Sequence, residues 1–303
     1  MSNFTKKKER IVANPPPSMR RHGVLVDGSG FIYRAFFAFP ALTAADGRSV
    51  GAVYGFCALL FPLLTRYRSA DFFLIVFDAG RKTFRSELYP AYKATRSETP
   101  AELKAQFQLS RDACRAFGIP MAEKIGFEAD DLIATYARHL VENGFEVTVA
   151  SSDKDIMQLI DENVSMFDPV KSKILGSKEV LEKYGVYPSQ MVHFQALVGD
   201  ASDNIPGVKG IGSVTAAKLL DEFQTLDGIY EHMDAIQSKK IRDNLEQGRA
   251  NAELSRQLAT LRKDVDIGDF SAFPAGPMEL DHAGAMDFLE SLGFVSLINR
   301  LPS

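Results

Sequence analysis

Cysteine and histidine are scarce in this chain, and long apolar runs are missing. Its 303 residues include two cysteines, Cys57 and Cys114, both in apolar stretches and not in a CxxC pair. That excludes a disulfide framework and argues against a zinc site; buried, reduced thiols of a cytoplasmic protein are the expectation. None of the five histidines falls in the acidic motifs described below, so a His-centred acid–base mechanism has no candidate. No apolar stretch approaches the roughly 20 residues a membrane-spanning helix needs. The opening MSNFTKKKERIVANPPPSMRRHG has charge but no apolar segment, so it is no secretory signal. Basic, Pro-rich and aperiodic, residues 1–22 are expected to form a disordered leader.

What is present fits a soluble globular protein: 46% hydrophobic and 24% charged residues, on a chain long enough to bury a large core. The formal net charge is −4 even though residues 1–22 hold six basic side chains and one acid, so the remainder is distinctly acidic. That sign suits a nucleic-acid binder only if cations offset a local acidic cluster and basic residues gather elsewhere. The sequence offers both.

Val24-Leu25-Val26 reads as a buried strand running into Asp27-Gly28-Ser29-Gly30, and the apolar run Phe72 to Phe77 as another, ending in Asp78. Glu146 to Ala150 alternates into a third, followed by Ser151-Ser152-Asp153-Lys154-Asp155. Helical spacing between them gives the order strand, helix, strand, helix, strand, which predicts an α/β fold with a central, mostly parallel sheet over 23–176. In such sheets the binding crevice lies beyond the carboxyl ends of the strands, where Asp27, Asp78 and Asp153 all fall. Gly80 to Pro100 interrupts this order as a long excursion rich in Arg, Lys and Tyr. From 177 to 270 the pattern is helical; 271–303 reads as a Pro-containing linker and one C-terminal helix.

Nine acids sit at these strand ends and helix starts: Asp27, Asp78, Glu128, Asp130, Asp131, Asp153, Asp155, Asp200 and Asp203. Taken singly, each has an ordinary explanation: helix-dipole complement for Glu128-Ala-Asp130-Asp131, a cap for Asp153 and Asp155, an acidic loop for Asp200 and Asp203. Jointly they would repel one another unless hard divalent cations, Mg²⁺ or Mn²⁺, held them. Two such ions about 4 Å apart are suited to phosphodiester hydrolysis. Gly207-Val208-Lys209-Gly210-Ile211-Gly212, followed by a helix with Lys218, has the spacing of a helix-hairpin-helix that grips the DNA backbone. Ser213 follows Gly212 where a P-loop needs Lys-Ser/Thr, which argues against nucleoside triphosphate binding. In Arg81 to Arg96, basic and aromatic residues interleave: a phosphate-gripping surface, or a solvated basic loop.

The segments VLVDGSGFIYRAFFA, IVFDAGRKTFRSELYPAYKATR, GFEADDL, SSDKDIMQL and LVGDASDNIPGVKGIGSVTA together resemble the 5′-nuclease family, in particular the 5′→3′ exonuclease domain of bacterial DNA polymerase I. The resemblance covers about residues 23 to 270. It implies a fold of the PIN/5′-nuclease type and a structure-specific 5′-3′ exonuclease and flap endonuclease. One metal would lie with Asp27, Asp78, Glu128 and Asp130, and a second with Asp153, Asp155 and Asp203, supported by Asp131 and Asp200. Lys93 and Arg96 would orient the scissile phosphate, Tyr92 would stack near the cleaved end, and Arg34 and Arg85 would contact phosphates. Gly207, Val208, Lys209, Gly210, Ile211, Gly212 and Lys218 would hold duplex DNA, with K⁺ against the hairpin. Implied partners are DNA with a 5′ flap, nick or gap and RNA–DNA primer junctions, in replication and repair. A monomer in the bacterial cytoplasm is expected, and residues 279–303 resemble the stretch leading onward to proofreading and polymerase domains. The rival expectations are a non-catalytic binder of DNA junctions and a single-strand ribonuclease.

Overall fold

A computed structural model describes residues 21–270 and 276–302. The body of the expected leader and the 271–275 part of the expected linker lie outside the described residues.

Strand β1 (Arg21–Asp27) leads into helix α1 (Gly28–Ala38); α2 (Gly51–Arg66), β2 (Phe72–Val76), the short α3 (Phe84–Leu88), α4 (Ala101–Ala116) and β3 (Met121–Ala122) follow. Next come α5 (Ala129–Glu142), β4 (Phe145–Ala150), β5 (Val164–Asp168) and β6 (Lys173–Leu175). The sheet order is β3-β2-β1-β4-β5-β6, parallel throughout except for the β5–β6 pair. β1 begins earlier than its apolar core implies: Arg21 and His22 pair with Phe145 and Glu146, so they belong to the sheet and not to the leader. The chain builds outward on one side of β1 and then on the other, which places a topological switch point between β1 and β4.

Alternation along the strands sends side chains to two cores. Leu25, Leu74, Val147 and Val149 face α5 and the helices α6 (Ser177–Tyr184), α7 (Met191–Val198), α8 (Ser213–Phe223), α9 (Leu226–Glu231) and α10 (Lys239–Ala259). Val24, Val26, Phe73 and Ile75 face α1, α2 and α4 on the other side. Each fully buried aliphatic or aromatic side chain contributes about 1.5–3 kcal/mol. The first core runs without interruption from the sheet into the helical region. The tail departs from the expected single helix. It forms α11 (His282–Ser291) and α12 (Val295–Ile298), broken at Gly293 (φ 73°), and both return to the second core through the buried Leu289 and Leu297.

Candidate active site

The carboxyl edge of the sheet carries the acids. Asp27 caps α1, accepting from the Gly30 N–H at 2.7 Å, and its other oxygen accepts from Ser151 Oγ at 2.9 Å across the β1–β4 junction. Asp78, two residues beyond β2, accepts the Ala129 N–H at the start of α5 (2.8 Å). Asp153 accepts the Asp155 N–H at 2.9 Å, folding the turn after β4 back on itself. Two carboxylate triplets result, each with oxygens within 4.8 Å of one another: Asp130, Asp153 and Asp155, then Asp155, Asp200 and Asp203. Asp155 belongs to both. The family resemblance sets Asp130 with Asp27, Asp78 and Glu128 instead; Asp27 and Asp78 also lie near enough to add repulsion at Asp130.

Like charges in a partly desolvated pocket leave their mark. Burial, with Asp153 and Asp78 adding repulsion, pushes Asp27 up to about 7 against the opposing bonds from Gly30 and Ser151. Burial and the Asp153 charge push Asp155 up to about 7, and Asp130 moves well upward by burial and by Asp153, Asp27, Asp155 and Asp78. Such acids ionise together only when positive charge joins them. A set of oxygen donors with this surplus of negative charge fits divalent cations, with the two triplets as the residues that would hold them.

The segment after α3 closes one side of the pocket. Lys93, at a φ of 55°, donates its N–H to the Asp203 carbonyl at 2.9 Å, while its ammonium lies 2.7 Å from Glu128 and 3.6 Å from Asp203. The Arg96 guanidinium pairs with the Asp203 carboxylate. Asn204 Nδ2 donates to the Ala91 carbonyl at 2.7 Å, so the 91–96 and 203–204 strips are laced together. Glu128 and Asp203 raise the Lys93 pKa despite its burial, and Lys154, paired with Asp200 at 2.8 Å, lowers that acid despite its burial.

Four expectations need correction. Arg85 is 1% exposed and grips Asp131 with two bonds of 2.6 and 2.8 Å, besides the carbonyls of Leu258 (2.7 Å) and Thr260 (3.1 Å). It is an internal clamp rather than an exposed contact for phosphate. Asp131, fully buried and also accepting from the N–H groups of Glu128 (3.2 Å) and Arg262 (2.9 Å), is thereby taken out of the metal pocket. Tyr92 is buried, its hydroxyl donating towards Glu128 (3.1 Å) and Asp203 (3.2 Å), so its ring is not free to stack on a base. Val208 and Ile211 of the hairpin point into the core as its anchors.

The rest of the hairpin is shaped for close approach. Gly207 (φ 61°) sits so near Gly199 that a Cβ would lie 2.4 Å from its nitrogen, and its N–H donates to Ser255 Oγ at 2.9 Å. Gly210 (φ 84°) and Lys209 are exposed at the turn, Gly212 caps α8, and Lys218 is exposed on that helix. Arg34 reaches Ser152 Oγ at 3.0 Å on the rim of the acidic pocket. Sequence reasoning missed Ser151, Lys154 and Gln195, which touch the acids. Small hydroxyls and a lone amide carry no pattern of their own.

A parallel sheet with clustered carboxylates at its switch point, followed by a glycine-rich helical hairpin, defines a metal-dependent phosphodiester hydrolase. Residues 22–185 match the 5′-3′ exonuclease N-terminal resolvase-like domain and residues 186–280 the 5′-3′ exonuclease C-terminal SAM fold. The chain therefore belongs to the 5′-3′ exonuclease family. It is 46% identical over 288 residues to DNA polymerase I of Rhizobium leguminosarum, covering 92% of this chain and 28% of that polymerase. It is 37% identical over 243 residues to a 5′-3′ exonuclease of Aquifex aeolicus, covering 80% and 82%. The chain thus spans about a third or less of the polymerase relatives it matches. In fold it is similar to a flap endonuclease of bacteriophage T5 solved with DNA and metal ions (TM-score 0.68, 22% identity, 90% and 99% covered). Among the described residues no helix is long and apolar enough to cross a membrane.

Proposed function

We propose that this chain cuts DNA at 5′ flaps, nicks and gaps, and removes RNA primers in duplex with DNA, during replication and repair. Residues 23–176 carry the chemistry, with Gly80–Pro100 over the acids, and 177–270 hold the duplex. The observation that supports this most is the pair of carboxylate triplets sharing Asp155, directly beside a strip of basic residues. Mg²⁺ or Mn²⁺, bound there, would supply charge neutralisation and an activated water. Asp130, Asp153 and Asp155 would hold one such cation and Asp155, Asp200 and Asp203 the other. Asp27 and Asp78 brace them from β1 and β2, with Glu128 on the rim. Lys93 and Arg96, now paired with Glu128 and Asp203, transfer to the scissile phosphate when DNA arrives and stabilise its developing charge. The exposed turn Lys209-Gly210, Gly212 and Lys218, with K⁺ as a further partner, grips the backbone of the duplex arm without reading sequence.

The test is a labelled 5′-flap duplex incubated with and without Mg²⁺, beside Asp153→Asn. Cutting near the junction that needs Mg²⁺ and falls by orders of magnitude in the variant is expected. A shifted but uncut duplex would indicate a junction binder, and faster cutting of linear RNA a ribonuclease.

A further inference from the structure

Asp155, the carboxylate common to both triplets, has an unusual neighbour. Gln195 lies on α7, 3% exposed, between the buried Phe194 and Ala196. Its Nε2 donates to Asp155 Oδ1 at 2.5 Å. Its Oε1 is buried as well and has no hydrogen-bond partner. A carboxylate ionised on a cation is acceptor-only, so a cation-bound Asp155 keeps the amide with its nitrogen towards the acid and its oxygen unpaired.

An amide is the side chain that suits this place. A lysine here would neutralise charge that the triplets need for a cation. An acid would add repulsion to a group already raised by burial and Asp153. An aliphatic residue would leave Asp155 anchored through its own backbone alone, by the N–H to Asp153. The primary amide restrains one carboxylate oxygen, adds no charge and leaves the second oxygen open. The orphaned Oε1 is the independent sign of something missing, since a buried acceptor without a partner costs about 1–3 kcal/mol.

We propose that Gln195 is a positioning residue for the metal pocket. It holds the shared carboxylate through Nε2, and its Oε1 accepts a hydrogen bond from water brought in with a hydrated divalent cation. This rests on the nuclease reading above and adds to it the residue that sets how the two triplets share Asp155. Partners that hold a ligand in place typically matter 10- to 100-fold in metal affinity.

Mn²⁺ binding, followed by electron paramagnetic resonance without DNA, tests this on the full chain with Gln195→Leu and Gln195→Met. Both substitutions nearly conserve volume and remove the two amide functions. Affinity for Mn²⁺ should fall about tenfold or more. The unfolding midpoint in EDTA should stay level or rise, because an unpaired polar group has gone. A purely structural role would move that midpoint downward and leave Mn²⁺ affinity in the folded protein unchanged. That result, or wild-type Mn²⁺ affinity in either folded variant, overturns the assignment of Gln195 alone. Absence of Mn²⁺ binding to the wild-type protein would overturn the nuclease reading itself.

Discussion

Arg85 commits its Nε, Nη1 and Nη2 to partners inside the protein, and Asp131 answers with both oxygens. Burial alone would lower the pKa of this guanidinium, but the Asp131 bonds and charge raise it on balance. Removing one member of such a pair strands the other charge in the interior. Arg85→Met should therefore cost about 3–5 kcal/mol, measured by urea denaturation. Arg85→Met combined with Asp131→Leu should recover most of that loss. A single variant as stable as the wild type would mean that Asp131 finds water or another donor. The same pair marks the limit of reading charge from sequence. Arg85 and Asp131 each stand in a stretch rich in residues of the kinds that bind phosphate or metal, and only the meeting of α3 with α5 reveals that they neutralise one another.

At the level of the element, the strip from Tyr92 to Arg96 acts as a stand-in for cations. Its ammonium and guanidinium occupy the carboxylates of Glu128 and Asp203, while the backbone of Lys93 is tied to Asp203 and that of the preceding Ala91 to Asn204. Lys93→Ala should accordingly bind Mn²⁺ more tightly than the wild type in the absence of DNA, by several-fold in calorimetry, even as cleavage falls. Weaker Mn²⁺ binding in that variant would show that Lys93 does not compete for the pocket. The existence of this element was legible as a basic, aromatic excursion, and so were three of the strands, two from the apolar runs of strands covered on both faces and the third from its alternation. β3, of two residues, and the antiparallel β6, largely exposed, have no such run. The acids at strand ends could be read from position alone. How they group could not, because it depends on how close the start of α5 comes to the turn after β4.

For the whole molecule, the pocket is a source of instability that bound cations would relieve. Asp27 and Asp155 are held at about 7, against an ordinary value of 3.8. Between those values the folded protein keeps protons that the unfolded chain has released. Their contribution to stability is full below about pH 4 and is lost as pH rises through 7. In EDTA, melting should occur at a lower temperature at pH 8 than at pH 6, and saturating Mg²⁺ should raise it more at pH 8. Equal increments at both pH values would count against a shared acidic pocket.

The carbonyls of Leu258 and Thr260, just at the exit of α10, close on the same guanidinium that holds the start of α5. The hairpin region and the sheet cannot swing past each other without tearing that knot. The span from the glycine turn to the carboxylates is thus a fixed ruler, and a double helix seated at one end would offer the same backbone linkage at the other each time.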